Sequence, residues 1–323
     1  ARTRSSLARI GTSTPGRLEP DGEAPRVALT LPESREALAE GLAARDYIVD
    51  DALAMSVFLA LQMRRPLFLE GAPGVGKTLL ARVLAELFET RLIRLQCYEG
   101  LDISQAAYEW NYPRQLLELQ ARGARGDGSG GATEGLFREA FLLKRPLLQA
   151  IDAAHDRAPV LLIDELDRAD EEFESFLLEL LGDFQITIPE LGTLTARHRP
   201  IVVLTSNRTR DVHDALKRRC LYHWIDYPSL EKEVEIVRRR VPGLAEHVRR
   251  RIVAFVQRLR REDLSKLPGV AETVDWAEAI EHLGAEDLDP GLVGATLGLL
   301  LKHHDDMERV RGALVEQLLA DLA

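Results

Sequence analysis

The sequence predicts an α/β fold in which helices surround a parallel five-stranded sheet, and an all-helical region follows the sheet. Short apolar runs recur along residues 66–226, helical periodicity separates them, and residues 229–323 carry helical periodicity alone. Unbroken apolar runs are typical of parallel strands buried on both faces. The five predicted strands cover residues 66–69, 92–95, 160–163, 201–204 and 223–226.

Composition restricts the class of protein. The chain has 323 residues, 46% of them hydrophobic, which is enough for packed cores, and its net charge is -10. An acidic protein has no overall field that attracts nucleic acid or an anionic membrane. No apolar run is long enough to span a membrane, and residues 1–32 lack the apolar core of a signal peptide. We therefore expect a cytoplasmic protein whose two cysteines, Cys97 and Cys220, are reduced.

Residues 1–32 are rich in Arg, Ser, Thr, Gly and Pro without any period, so we expect a flexible lead-in. Residues 34–62 then show helical periodicity, which stops ahead of the first strand.

The first strand runs directly into a glycine-rich stretch that opens a helix. Such a turn points successive backbone N–H groups into one concavity at the positive end of the helix dipole, where phosphate binds. The spacing G-x-x-x-x-G-K-T predicts nucleotide binding, with Lys77 reaching the β- and γ-phosphates and the Thr78 hydroxyl binding Mg²⁺. The predicted nucleotide-binding residues are Gly71, Ala72, Pro73, Gly74, Val75, Gly76, Lys77, Thr78 and Leu79.

The interval between Lys77 and Asp164 is 87 positions, whereas a βαβ unit needs roughly 30 residues. We therefore expect an insert around residues 102–136. Its segment 123–135 is rich in glycine and almost free of apolar residues. Two interpretations stay open, a tolerated surface loop or a mobile element that contacts a partner.

Polar side chains follow the third and fourth strands. Asp164 and Glu165 come directly after the apolar run 160–163, and Asn207 lies shortly after the run 201–204. Because the carboxyl ends of parallel strands meet at one sheet edge, we expect Asp164 to hold Mg²⁺ through water and Glu165 to activate the attacking water. Asn207 would orient that water.

Two further features lie around the fourth strand. Alternating apolar residues on either side of a turn predict a hairpin at residues 184–196. A basic segment precedes the fifth strand, and Arg218 or Arg219 is a candidate for contact with the γ-phosphate, because phosphoryl transfer gains from an arginine there.

Together these motifs resemble an AAA+ ATPase, a P-loop αβα sandwich with a helical lid. Blocks at residues 95–102, 108–112, 172–181 and 205–224 more closely resemble the MoxR group, and within it the accessory ATPase of aerobic carbon monoxide dehydrogenase and other molybdenum hydroxylases. The resemblance implies a nucleotide-binding core at residues 33–228 and a lid at 229–323.

The resemblance also implies roles and partners. Gly71 to Thr78 would be Walker A, Asp164 and Glu165 Walker B, and Asn207 sensor 1. Arg218 or Arg219 would be an arginine finger that acts on the neighbouring subunit of a ring, usually a hexamer. Further expected partners are a von Willebrand A domain protein and a client metalloenzyme whose metal centre matures with its help. Many relatives carry a sensor 2 arginine where a lid helix starts, but residues 288–292 contain none.

Two other functions remain open at this point. A nucleic-acid motor of the helicase-loader type would share the same core, although the acidic charge disfavours it. A nucleotide-gated scaffold would bind ATP and hydrolyse very little.

Overall fold

The structure of the protein is a computed structural model that describes residues 30–124, 136–152 and 154–322. Most of the expected lead-in and most of the glycine-rich segment 123–135 lie outside these residues. In chain order, the elements up to residue 226 are α1 (Arg35–Ala43), α2 (Asp51–Met63), β1 (Leu67–Gly71), α3 (Lys77–Leu87), β2 (Leu92–Gln96), α4 (Ile103–Ala106), β3 (Tyr108–Trp110), α5 (Tyr112–Ala124), β4 (Leu142–Lys144), α6 (Pro146–Ile151), β5 (Val160–Asp164), α7 (Glu171–Asp183), β6 (Gln185–Ile188), β7 (Gly192–Thr195), β8 (Ile201–Ser206), α8 (Asp214–Arg219) and β9 (Leu221–Ile225).

The central sheet has the predicted five parallel strands, in the order β2-β5-β8-β1-β9. Alternate residues of each strand enter opposite cores. Phe68 packs with α6, α7 and α8 on one face, whereas Leu67 and Leu69 pack with α1, α2 and α3 on the other. The predicted α/β layering is therefore confirmed.

Residues 34–62, where the sequence predicted helical structure, form the two helices α1 and α2. The side chain of Asp50 accepts a hydrogen bond from the Leu53 N–H at 2.8 Å and starts α2 there. Asp46, with φ of 59°, turns the chain between the two helices. The continuous apolar pattern concealed this break, because both helices bury residues in the same core.

The described residues of the insert contain a strand that pairs with a strand after it. Strands β3 and β4 pair antiparallel, with Trp110 opposite Leu142. The rings of Trp110 and Phe137 meet edge to face at 5.1 Å between centroids. The hairpin expected at residues 184–196 is present as β6 and β7.

The region after residue 228 is helical, as predicted, and has its own core around Trp276 and Phe255. Gly312, with φ of 77°, separates the last two helices. Its elements are α9 (Leu230–Arg240), α10 (Glu246–Leu259), α11 (Val270–His282), α12 (Pro290–Leu300), α13 (His304–Val310) and α14 (Ala313–Ala320). Among the described residues, no helix combines the length and the apolar character needed to cross a membrane.

Candidate active site

The glycine-rich loop, or phosphate loop, connects β1 to α3 as the sequence predicts. Gly71 adopts φ of 155°, and a Cβ atom there would lie 2.2 Å from the Ile225 carbonyl oxygen, so a side chain would separate β1 from β9. Gly76, at φ of 93°, is the N-cap of α3. The Lys77 ammonium donates to the carbonyl oxygens of Gly71 and Ala72, both at 2.8 Å, and so folds back over the loop.

Burial lowers the pKa of Lys77 to about 8, although the Asp167, Asp164 and Glu165 carboxylates oppose this shift. Removing a lysine from water disfavours its charged form. The loop thus holds a buried ammonium that an anionic ligand would stabilise.

Asp164 lies at the carboxyl end of β5 with its side chain buried. Its Oδ1 atom accepts hydrogen bonds from the hydroxyls of Thr78, at 2.9 Å, and Thr205, at 2.6 Å. The structure therefore brings together the two residues predicted to bind metal. A hydroxyl and a carboxylate are hard oxygen ligands of the kind that Mg²⁺ prefers, so Thr78 and Asp164 fit this ion.

The other oxygen of Asp164 contacts a residue that the sequence analysis missed. Arg94 of β2 donates to Oδ2 from Nη2 at 2.6 Å and from Nε at 3.1 Å. The available signal was a single arginine inside an otherwise apolar strand. The partner of that arginine depends on strand order, which local periodicity does not reveal.

Glu165 occupies a left-handed backbone conformation, with φ of 54°. Its N–H donates to the Thr205 hydroxyl at 2.9 Å, so Thr205 contacts both predicted acidic residues. The Glu165 carboxylate forms an ion pair with Arg168 at 2.9 Å and is partly exposed to the cavity.

Asn207 lies after β8 on a loop held by the buried Asp167. The Asp167 carboxylate accepts hydrogen bonds from the Asn207 N–H at 3.2 Å and from the Thr209 N–H and hydroxyl at 2.8 and 2.6 Å. Burial alone would raise the pKa of Asp167, but these hydrogen bonds outweigh it and lower the pKa below its ordinary value. The sequence analysis did not identify Asp167.

The helical region reaches the phosphate loop through α11. The Gly74 carbonyl oxygen accepts the N–H groups of Val270 at 3.2 Å and Ala271 at 3.3 Å. The helix start expected at residues 288–292 is present, with Asp289 as the N-cap of α12, but the helix whose start contacts the loop is α11. Residues 269–271 also contain no arginine.

These elements enclose a cavity of about 710 Å³, a size that suits a nucleotide. Apolar side chains from residues 48–53 and from the C-terminal helical region line the cavity together with the predicted catalytic groups. The apolar group is Ile48, Leu53, Ile236, Val270 and Val274, and the polar group is Lys77, Thr78, Asp164, Glu165 and Asn207.

The two candidate fingers lie outside this cavity, at the end of α8. The Arg219 guanidinium donates to the Leu178 carbonyl oxygen, which ties it to α7 of the same chain. Arg218 is exposed, and among the described residues its guanidinium has no hydrogen-bond or ion-pair partner. Arg65 fixes the backbone here by donating to the Arg218 carbonyl oxygen at 2.7 Å.

Comparisons with known proteins agree with this architecture. Residues 66–220 match the family model for the AAA domain (dynein-related subfamily). The chain is 26% identical over 223 residues to the uncharacterized protein YehL of Escherichia coli (strain K12). That match covers 65% of this chain and 56% of YehL, so the chain spans little more than half of that relative.

Among solved structures, the RuvB Holliday junction branch migration motor of Thermotoga maritima is similar at 16% identity, with a TM-score of 0.44 over 84% of this chain and 72% of RuvB. A mutant of the same RuvB has a TM-score of 0.46 at 16% identity, over 83% of this chain and 72% of its own. The sheet order and the phosphate loop are those of a P-loop AAA+ fold, in agreement with the match of residues 66–220 to the AAA domain model.

Proposed function

We propose that this chain hydrolyses ATP with Mg²⁺, acts as a ring-forming chaperone of the MoxR group, and remodels a client protein. One observation carries the proposal: Lys77, Thr78, Asp164, Glu165 and Asn207 line one cavity that the lid also bounds. The carboxyl edge of a parallel sheet beside a glycine-rich loop is where α/β proteins bind phosphorylated ligands.

Each residue has a defined task in the proposed reaction. Thr78 and Asp164 would hold Mg²⁺, which would supply charge neutralisation for the phosphates. Lys77 leaves the Gly71 and Ala72 carbonyl oxygens and donates to the phosphates. Glu165 polarises the water that attacks the γ-phosphorus, and the bond to the β-phosphate oxygen breaks to give ADP and phosphate.

Glu165 must change partner before it can do this. Its carboxylate is paired with Arg168, whose side chain is 56% exposed, and an exposed pair of this kind is worth little. Exchanging the pair for a water molecule therefore needs only a small rearrangement. Asn207, fixed through its backbone by Asp167, would orient the same water.

The arginine finger is assigned to Arg218. It is exposed and unpaired within the described part of the chain, whereas Arg219 is tied to α7. A guanidinium outside its own cavity can complete only the cavity of a second copy, and this supports a ring with ATP between subunits, in which we expect six copies.

The client and the partner rest on the resemblance of the sequence to MoxR proteins. We propose a molybdenum hydroxylase as the client and a von Willebrand A domain protein as the partner. The insert and the β6-β7 hairpin would face them. A Glu165→Gln chain that keeps ATP bound should capture both from its native cell, whereas Lys77→Ala should capture neither.

ATP turnover of Glu165→Gln tests the proposed chemistry. We expect turnover to fall by at least about a hundredfold while ATP binding persists, since general base catalysis contributes about 10²–10⁴-fold. Glu171→Gln makes the same chemical change at the exposed start of α7 and should leave turnover unchanged. Undiminished hydrolysis by Glu165→Gln would remove Glu165 from the proposed role.

A further inference from the structure

The Asp164 carboxylate is saturated with donors on both oxygens. Oδ1 accepts from the Thr78 and Thr205 hydroxyls, and Oδ2 accepts from two nitrogens of Arg94. The Asp164 side chain is only 3% exposed, so these partners replace its solvation. A full positive charge from Arg94 therefore lies against a carboxylate that the proposed function assigns to a metal ion.

Arg94 is held in place for this contact. Gln96, the residue of β2 paired in register with Asp164, accepts the same Arg94 Nη2 at 2.5 Å. The guanidinium thus lies between a neutral amide oxygen and a buried carboxylate oxygen. Its orientation is fixed by two residues at the end of the sheet.

The Arg94 guanidinium can also move away from the Asp164 carboxylate. The Arg94 side chain is 52% exposed, so it can move into solvent without opening the core. Thr78 and Thr205 would still satisfy Oδ1, and Oδ2 would become free for a new partner. The core face of β2 is carried by Ile93 and Leu95, not by Arg94.

We propose that Arg94 is a positioning residue that occupies the metal side of Asp164 in the nucleotide-free chain and competes there with Mg²⁺. This inference rests on the proposed function. Two cations cannot share one carboxylate oxygen at low cost, because like charges at a few ångströms repel. Asp164 is therefore kept ordered and neutralised until Mg²⁺ and nucleotide replace Arg94.

A purely structural ion pair makes the opposite prediction for metal affinity. If Arg94 only supports the shape of the site, its removal leaves Asp164 less ordered, and metal binding weakens or stays the same. If Arg94 competes, its removal strengthens metal binding. The sign of the change distinguishes the two roles.

The experiment measures Mn²⁺ binding by the electron paramagnetic resonance signal of the free ion, with a non-hydrolysable ATP analogue present. We expect Arg94→Ala to bind Mn²⁺ about tenfold more tightly than the wild type, the change expected when a hydrogen-bonded charge contact is lost. Arg94→Gln should behave in the same way and serves if the alanine variant does not fold. Arg94→Lys, which keeps the charge, should stay close to the wild type.

Arg168→Ala is the matched control. Arg168 is 56% exposed, similar to Arg94 at 52%, and pairs with Glu165, the residue next to Asp164, so its removal deletes a nearby positive charge that does not contact Asp164. We expect less than about a twofold change. Unchanged or weaker Mn²⁺ binding by the Arg94 variants, or equal tightening by Arg168→Ala, would overturn the inference. A wild-type chain that binds no analogue would instead refute the proposed function.

Discussion

The carbonyl oxygen of Gly74 accepts the N–H of Val270 at 3.2 Å, so the phosphate loop and the C-terminal helical region share a backbone hydrogen bond. Gly269 makes this approach possible. A Cβ atom there would lie 2.7 Å from the Pro73 carbonyl oxygen and 3.0 Å from the Gly74 Cα atom. Both sides of this contact are backbone, so a side chain at position 269 could be accommodated only by moving the main chain.

Gly269→Ala should therefore lift α11 from the loop. We expect ATP affinity to fall by about tenfold, because overpacking against backbone costs about 1–3 kcal/mol at the surface that closes the cavity. A fluorescent ATP analogue would measure this. Gly298→Ala, in α12 with open space around it, should bind like the wild type. Equal binding by both variants would show that the contact has no role in nucleotide affinity.

Asp167→Asn should slow turnover without weakening ATP binding. The amide supplies one acceptor oxygen where the carboxylate supplies two, so the Thr209 contacts or the Asn207 contact must be lost. We expect kcat to fall by about tenfold with KM nearly unchanged, and the free energy of unfolding to fall by about 1–3 kcal/mol.

Thr209→Ser keeps the hydroxyl that donates a hydrogen bond to Asp167. This variant should therefore retain nearly full kcat. If Asp167→Asn lost stability but kept its kcat, Asp167 would support the fold and would not position Asn207.

Asp167, Arg94 and Gly269 also show where prediction from sequence stops. The strands were predictable because runs such as Val160–Asp164 are buried on both faces, and Lys77 and Thr78 were predictable because their motif is local. Asp167 instead contacts Thr209, 42 positions away, and Arg94 contacts Asp164 only because β2 lies next to β5. Such contacts depend on the order of the strands and on the packing of α11 against the phosphate loop. The local periodicity of the sequence encodes neither.

Arg218→Ala should abolish turnover while ATP binding persists. An arginine finger contributes about 10³–10⁵ in kcat, so even partial loss would be large. Arg219→Ala should reduce turnover only slightly, because its guanidinium donates to Leu178 of its own chain.

Mixing the Arg218→Ala and Glu165→Gln variants tests whether Arg218 acts on the neighbouring subunit. In a mixed ring, a subunit with Arg218→Ala keeps its own Glu165, and a neighbour with Glu165→Gln supplies Arg218. Sites formed between two such subunits are complete, so mixed rings should regain part of the lost turnover. An inactive mixture would count against action between subunits. Full activity of Arg218→Ala alone would remove Arg218 from the reaction.

Lys77 should make ATP binding depend on pH. Burial holds its pKa at about 8 in the free chain, and bound phosphate must raise that value, since an opposite charge favours the ammonium. Above pH 8, binding therefore takes up a proton, and affinity falls as pH rises, by up to about tenfold per pH unit for one proton. Below pH 8 the lysine is already charged and this dependence disappears.

Titrations with a fluorescent ATP analogue at pH 7, 8, 9 and 9.5 would trace this dependence. Lys77→Arg is the control, because a guanidinium stays charged throughout this range and its affinity, whatever its level, should not change with pH. A flat wild-type profile would mean that Lys77 is fully charged before the nucleotide arrives. The same slope in Lys77→Arg would assign the proton to another group that lines the cavity.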